Sequence, residues 1–138
     1  MIDVEVFDRV AGASSPPAAE VRRLCARAAA RLGVTDGHVA VEFVDATRIA
    51  QLNGEHRGKA LATDVLSFPI DGMAPAATQP LGTTPPPVEL GDIVICPEHT
   101  VDMREAVVHG MLHLLGMDHE QDSGEMLALQ AELLAAAP

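Results

Sequence analysis

Apolar and polar residues alternate through residues 2–7, Ile-Asp-Val-Glu-Val-Phe, which predicts a strand with one wet face. Pro16-Pro17 then opens an Ala/Arg-rich segment whose apolar stripe is Val21, Leu24, Ala28 and Leu32, with Gly33 just beyond. Proline in the first turn and glycine past the last are helix punctuation. Arg22, Arg23, Arg27 and Arg31 give this helix a basic side, read either as a solvated face or as a contact for RNA or a ribosomal partner. Residues 38–44, His-Val-Ala-Val-Glu-Phe-Val, predict a second strand, and Asp45 is placed to cap a helix through about Asn53-Gly54. Val65-Leu-Ser-Phe is a short apolar strand, with Pro69 marking its end or a sheet edge. Residues 71–90, rich in Pro, Gly and Thr, read as a surface loop or long hairpin connection. Gly91-Asp-Ile-Val-Ile-Cys predicts the fourth strand. Asp102-x-x-Glu105 fits a capping box for a helix from about Met103 to Leu115, stopped by Gly116. Asp122-x-x-Glu125 is a second such box, opening a final helix with Met126, Leu127, Leu129, Leu133 and Leu134. The expected fold is α+β: a single domain over 1–138, a four-stranded mixed sheet with helices packed on it, and a metal site on the histidine helix.

Composition adjusts this picture at its edges. A chain of 138 residues, 48 % hydrophobic, suits one folded domain rather than a disordered tail. No apolar run approaches the ~20 residues that cross a bilayer, so no membrane partner is expected. Met1-Ile2-Asp3-Val4-Glu5 carries acids and no basic region, so no secretory signal is expected and the cytoplasm is the expected compartment. Cys25 and Cys96 lie far apart and outside any C-x-x-C pattern, and read as free thiols acting as small buried hydrophobes. Cys96, closing an apolar strand, is also placed to border a pocket. The net charge of −11 is the wrong sign for holding nucleic acid by nonspecific attraction. Phe7, Phe43 and Phe68 are the only aromatics, which leaves little for stacking bases on an aromatic sheet. An RNA substrate is not excluded, because a local basic strip can outweigh a distant acidic face.

The chemistry lies in one run, His109-Gly-Met-Leu-His113-Leu-Leu-Gly116-Met-Asp118-His119. At about 100° per residue, His109 and His113 differ by only about 40° around a helix, so both imidazoles leave one face. A two-donor metal clamp needs that spacing. On an unbroken helix His119 would sit about 120° round from His113 and about 9 Å further along, out of reach. Gly116 resolves this, because glycine takes the left-handed conformation that ends a helix and turns the chain back. Three histidines leave one tetrahedral position open, whereas structural zinc sites are usually closed by four protein ligands. The expected site is therefore catalytic: one zinc ion per chain on His109, His113 and His119, with water in the fourth place. Imidazole also suits nickel and copper. The implied chemistry is hydrolysis or transfer at a carbonyl or phosphoryl centre. His38, His56 and His99 lack such partners and read as surface or strand residues. The spacing H-x-x-x-H-x-x-G-x-x-H is also that of metzincin peptidases, whose general base is the glutamate after the first histidine. Here that residue is Gly110, which cannot accept a proton.

The run 109–119 resembles the YbeY family of bacterial endoribonucleases. Leu52-Asn-x-x-x-Arg57-Gly-Lys59, Thr63-Asp-Val-Leu-Ser-Phe-Pro69 and Gly91-Asp-Ile-Val-Ile95 support the resemblance, in the family's order. Glycine after the first ligand is the family's own pattern. The resemblance implies a zinc-dependent, single-strand-specific endoribonuclease that acts in 3′-end maturation of 16S rRNA and in ribosome quality control. It implies the metal ligands His109, His113 and His119 and a functional Arg57, whose guanidinium can hold a phosphate and offset developing charge. Lys59 is a candidate helper in substrate binding. Asp118 has two readings, as a group that orients an imidazole or accepts a proton, or as a turn aspartate bonded to backbone. Asp64 and Asp92, at strand ends in matching motifs, read as structural or supporting groups rather than direct catalysts. The implied partners are single-stranded RNA of the small-subunit precursor and ribosomal proteins or an assembly GTPase. The connection between the fourth strand and His109 is shorter than the family leads one to expect, and the 71–90 segment matches no family motif. Two other functions fit the residues: a metallohydrolase on a non-RNA substrate, and a ribosome assembly factor with a mainly structural metal.

Overall fold

The computed structural model describes residues 2–8, 10, 16–57, 64–70, 89–117 and 124–136, apart from the side chains of 56, 57 and 136. Alternation produces strand β1 (Ile2–Asp8), and the Val21/Leu24/Ala28 stripe produces helix α1 (Ala18–Arg31). Strand β2 (Gly37–Phe43), helix α2 (Ala46–Arg57), strand β3 (Val65–Pro69) and strand β4 (Glu89–Ile95) follow. A 3₁₀ turn over Pro97–His99 leads into helix α3 (Met103–Leu114), and helix α4 (Glu125–Ala136) closes the described chain. The sheet order is β1-β2-β4-β3. β1, β2 and β4 run parallel, and β3 pairs antiparallel with β4 at the edge, so the sheet is mixed as expected. Parallel neighbours need a crossover, and α1 supplies the one between β1 and β2.

The period of two sorts the sheet into unlike faces. Val39, Val41, Phe43, Ile93 and Ile95 face α1, α3 and α4 in the main core. On the reverse face Leu66, Val94 and Cys96 pack with Val44 and Ile49 in a smaller cluster beneath α2. Cys96 is thus a core residue of that cluster, and burial raises its thiol pKa. Burial pushes the Cys25 thiol up to about 12. Both residues are free thiols. Two arginines of the basic side of α1 have partners within the chain: Arg22 Nε donates to the Val4 carbonyl at 3.2 Å, and at the surface Arg31 pairs with Glu132 of α4 at 3.6 Å. β4 starts earlier than its apolar pattern suggests, and α2 runs past Asn53-Gly54 to Arg57. Of the expected 71–90 loop, residues 89–90 already belong to β4, while 71–88 and the Asp122 cap lie outside the described residues. No helix of the described residues is long and apolar enough to cross a membrane.

Away from α2, the reverse face carries a charged cluster. His38 of β2 bridges two neighbouring strands, with Nδ1 2.8 Å from Glu89 Oε2 and Nε2 2.7 Å from Glu5 Oε1. The hydrogen bond to Glu89, supported by Glu5, raises the His38 pKa. Burial, then the nearby Glu42 and Glu89, raises that of Asp92. Both groups hold a proton more tightly folded than unfolded. The His38 contribution is therefore complete below the ordinary imidazole pKa and disappears as pH rises through the raised value. For Asp92 the same loss falls at lower pH, above the ordinary carboxylate range. Thermal melts should show stability falling from pH 6 into the mildly alkaline range, by about 0.2–1 kcal/mol for a partly exposed cluster. His38→Gln should flatten that slope; an unchanged slope would remove His38 as its source.

Candidate metal centre and adjoining cleft

Helix α3 places the first two histidines. Its start is fixed by Asp102, whose carboxylate accepts from the backbone N–H of Arg104 at 3.0 Å and of Glu105 at 3.3 Å. Val107, Val108, Met111, Leu112 and Leu114 are buried along it. Gly110 lies flat on the sheet: a Cβ there would fall 2.6 Å from Ile93 Cγ2 and 3.3 Å from Ser67 Oγ. Ser67 Oγ donates to the Gly110 carbonyl at 3.1 Å, tying α3 to β3. With position 110 against the sheet, His109 and His113 come out together on one half-exposed flank.

The helix ends where the ligand pattern requires. Gly116 has φ +97°, its N–H donates to His113 O at 3.0 Å, and the Met117 N–H donates to Leu112 O at 3.0 Å. These two bonds form the Schellman closure, which satisfies the last carbonyls and reverses the chain. The expected stop between the second and third candidate ligands is present. Asp118 and His119 themselves lie outside the described residues.

His109 Nε2 and His113 Nε2 are 3.1 Å apart, with ring centroids at 4.7 Å and ring planes at 76°. His109 Nδ1 lies 2.8 Å from Gln130 Oε1 on α4. An amide oxygen only accepts, so Nδ1 carries the proton and Nε2 presents its lone pair. Two imidazole nitrogens bound tetrahedrally at about 2.0–2.1 Å would be about 3.3 Å apart, so the observed pair fits a zinc-sized cation. Among the described residues no group of three or more His, Cys, Asp or Glu forms a cation-sized cluster; the expected third ligand, His119, is not among them.

Gln130 is the residue that the sequence did not single out. It sits one turn after Met126 and among Leu129 and Leu133, a polar side chain on a buried stripe, and is only 8 % exposed. Such a break in an apolar face is the one signal that could have found it. Gln130→Met keeps the bulk and removes the acceptor, and should weaken metal binding by about 10–100-fold, the usual effect of losing a ligand's supporting hydrogen bond. Gln130→Glu should restore affinity. Competition against a coloured chelator reads both.

A cleft of about 290 Å³ opens on the Gln130 side of His109, between α3, α4 and the segments carrying Asp64 and His99–Asp102. Asp64 Oδ1 accepts the Val65 N–H at 2.8 Å, so this aspartate starts β3 and also edges the cleft. His99, expected as a plain surface or strand residue, is exposed and lines the cleft. Asp92 is not brought to the site. Gly91 faces Leu114 and Ile93 faces Gly110, so Asp92 between them points to the reverse face, beside Glu42 and Glu89. Arg57 ends α2, with its side chain outside the described residues; Lys59 lies wholly outside them.

The family model for endoribonuclease YbeY matches residues 13–137. A relative from Bacillus subtilis (strain 168), described as endoribonuclease YbeY, is 36 % identical over 148 residues, spanning 96 % of this chain and 94 % of its own length. One from Geobacillus kaustophilus (strain HTA426), with the same description, is 38 % identical over 149 residues, with 97 % and 95 % covered. A third, from Corynebacterium glutamicum, is 40 % identical over 114 residues, which are 72 % of this chain. The match spans just 58 % of that relative's length. In fold the chain resembles the solution structure of TM1509 from Thermotoga maritima, with a TM-score of 0.54, 24 % identity, and 95 % of this chain and 86 % of that one covered.

Proposed function

Because this chain belongs to the YbeY endoribonuclease family, we infer that it is a zinc-dependent, single-strand-specific endoribonuclease that trims the 3′ end of small-subunit rRNA precursors and serves ribosome quality control. The observation that carries the metal part is the convergence of His109 Nε2 and His113 Nε2 with Gln130 behind one of them. His109 and His113 hold the ion, with His119 as the third ligand. A zinc ion there supplies Lewis acidity toward a phosphoryl oxygen. Gln130 keeps the His109 lone pair aimed outward. Arg57, with Lys59 beside it in sequence, binds the phosphate and offsets its charge. Asp118 and Asp64 are the carboxylates left to orient an imidazole or take a proton, because Asp92 faces away.

Peptidase chemistry is disfavoured by packing as well as by residue type. At position 110 a glutamate would point into Ile93, not toward the histidine flank. A second reading is favoured by one observation. The net charge of −11, with Arg22 bonded to the Val4 carbonyl and Arg31 paired with Glu132, favours a weak intrinsic attraction for RNA. A ribosomal protein or assembly GTPase would then deliver the RNA, and an assembly factor with a mainly structural metal is the limiting case. The test is cleavage of a single-stranded RNA spanning the 3′ end of the precursor, by metal-loaded, chelated and reloaded protein. Activity lost and regained with the metal supports the nuclease. Equal cutting in all three samples, or none, returns the protein to the assembly-factor reading.

A further inference from the structure

We propose that the cleft beside His109 is a nucleobase subsite, holding the base next to the cleaved linkage and favouring bases that present amino groups. The inference rests on the nuclease reading for its substrate, but its own evidence is the shape and chemistry of the cleft. His109 and Gln130 belong to both the metal clamp and the cleft wall, so an occupant sits beside the reacting phosphate.

The walls are apolar where a flat ring would rest. Among the described residues the exposed large hydrophobics are Ile70, Val101 and Leu127, and two of these line the cleft. Val101 is 106 % exposed and Leu127 49 %, so each has apolar surface to bury against a ligand. Val65 and Ala106 continue the apolar lining inward. A volume of about 290 Å³ lies at the lower bound of ligand pockets, enough for one ring system rather than a length of strand.

The charges then choose among occupants. Asp64, Asp102 and Glu105 edge the cleft, whose described lining carries no lysine or arginine. Three carboxylates repel a phosphate, so the RNA backbone passes on the other side of the clamp. Asp102 is committed to capping α3, and Asp64 accepts the Val65 N–H through one oxygen. Glu105 lies one turn before His109 on the same helix flank and is exposed. Carboxylates accept from the exocyclic amino groups of bases, as glutamate or aspartate does from cytosine N4. An uncharged planar group with an N–H edge and apolar faces is an unstacked base. Unstacked bases are what proteins read in single-stranded RNA. Guanine, cytosine and adenine offer amino groups; uracil does not.

The test has two independent arms. In the first, the methyl groups of Val101 and Leu127 are followed by NMR while guanosine, cytidine, adenosine or uridine is added at millimolar concentration. In the second, oligonucleotides with a single ribonucleotide linkage in a deoxy background carry each base in turn beside that linkage. The expected result is methyl shifts with the amino-bearing nucleosides and little with uridine. The matching kcat/KM for the uracil substrate should be lower by about tenfold, the cost of one unmet hydrogen bond. Leu127→Ala and Glu105→Ala should each raise KM and flatten the base preference with kcat kept. Cleavage with no base preference and unmoved methyls would overturn the subsite while leaving the nuclease standing. Selective methyl shifts without cleavage would keep the subsite and remove the nuclease.

Discussion

His113→Ala should abolish metal retention and RNA cleavage while the protein stays folded. The ring of His113 is half-exposed on the flank of α3, edge-on to that of His109. Alanine is the best helix former, so the change costs the helix nothing. In metal-free protein the melting curve should therefore move by less than about 0.5 kcal/mol, as for surface substitutions. Metal separates the two proteins. Wild type should gain about 2.7 kcal/mol at a metal concentration of 100 times Kd, because the ligand binds only the folded state. His113→Ala should gain nothing, since losing a ligand exceeds the roughly 10–100-fold effect of losing a supporting hydrogen bond. Turnover should fall by at least about 10²–10³, the cost of one group that stabilises charge in a transition state. Circular dichroism, metal-dependent melts and RNA cleavage on the same preparations check all three. A variant that unfolds without metal would make the ion structural. A variant that cuts as well as wild type would point to a contaminating ribonuclease.

The legible parts of this protein are those where local chemistry and tertiary structure ask for the same residue. Asp102 caps α3 because its side chain reaches the next N–H groups whatever the helix packs against. Gly116 closes the same helix because that backbone conformation suits glycine. The period of two in β1 and β2 anticipated which residues enter the core. What stayed hidden depends on contacts between distant segments. The bond from His109 to Gln130 joins residues 21 apart, and nothing near either one announces it. Asp92 belongs to a familiar motif, yet the face it occupies is decided by how β4 sits under α3. His38 looked isolated because its carboxylates come from the two neighbouring strands. Reading Gly110 as the absence of a base was correct in chemistry but incomplete, because the glycine also sets how close α3 can come to the sheet.

Gly110 therefore carries a second large expected effect, this one on the fold. Alanine there should destabilise the protein even though it favours the helix by about 1 kcal/mol over glycine. The new Cβ would meet Ile93 Cγ2 at 2.6 Å, and Ile93 is fully buried, so neither side can yield without moving backbone. Overpacking of this kind costs about 1–3 kcal/mol, which outweighs the helix gain over most of its range. Gly110→Glu should be worse, because it adds the same clash and pushes a carboxylate into the core. It should not create a peptidase, since the side chain starts on the sheet side of α3. The mechanism has a specific check in the partner residue. Ile93→Ala alone should cost about 2–5 kcal/mol for the lost packing. Combined with Gly110→Ala it removes the atoms in the way, so the two changes should couple favourably by about 0.5–3 kcal/mol. Denaturant melts of the four proteins measure that coupling. Strict additivity would mean that something other than Ile93 holds position 110 to glycine. Where the clash is not relieved, α3 must lift from β4, and the contact between His109 and Gln130 should loosen with it. Metal affinity should then fall in Gly110→Ala and recover in the double variant.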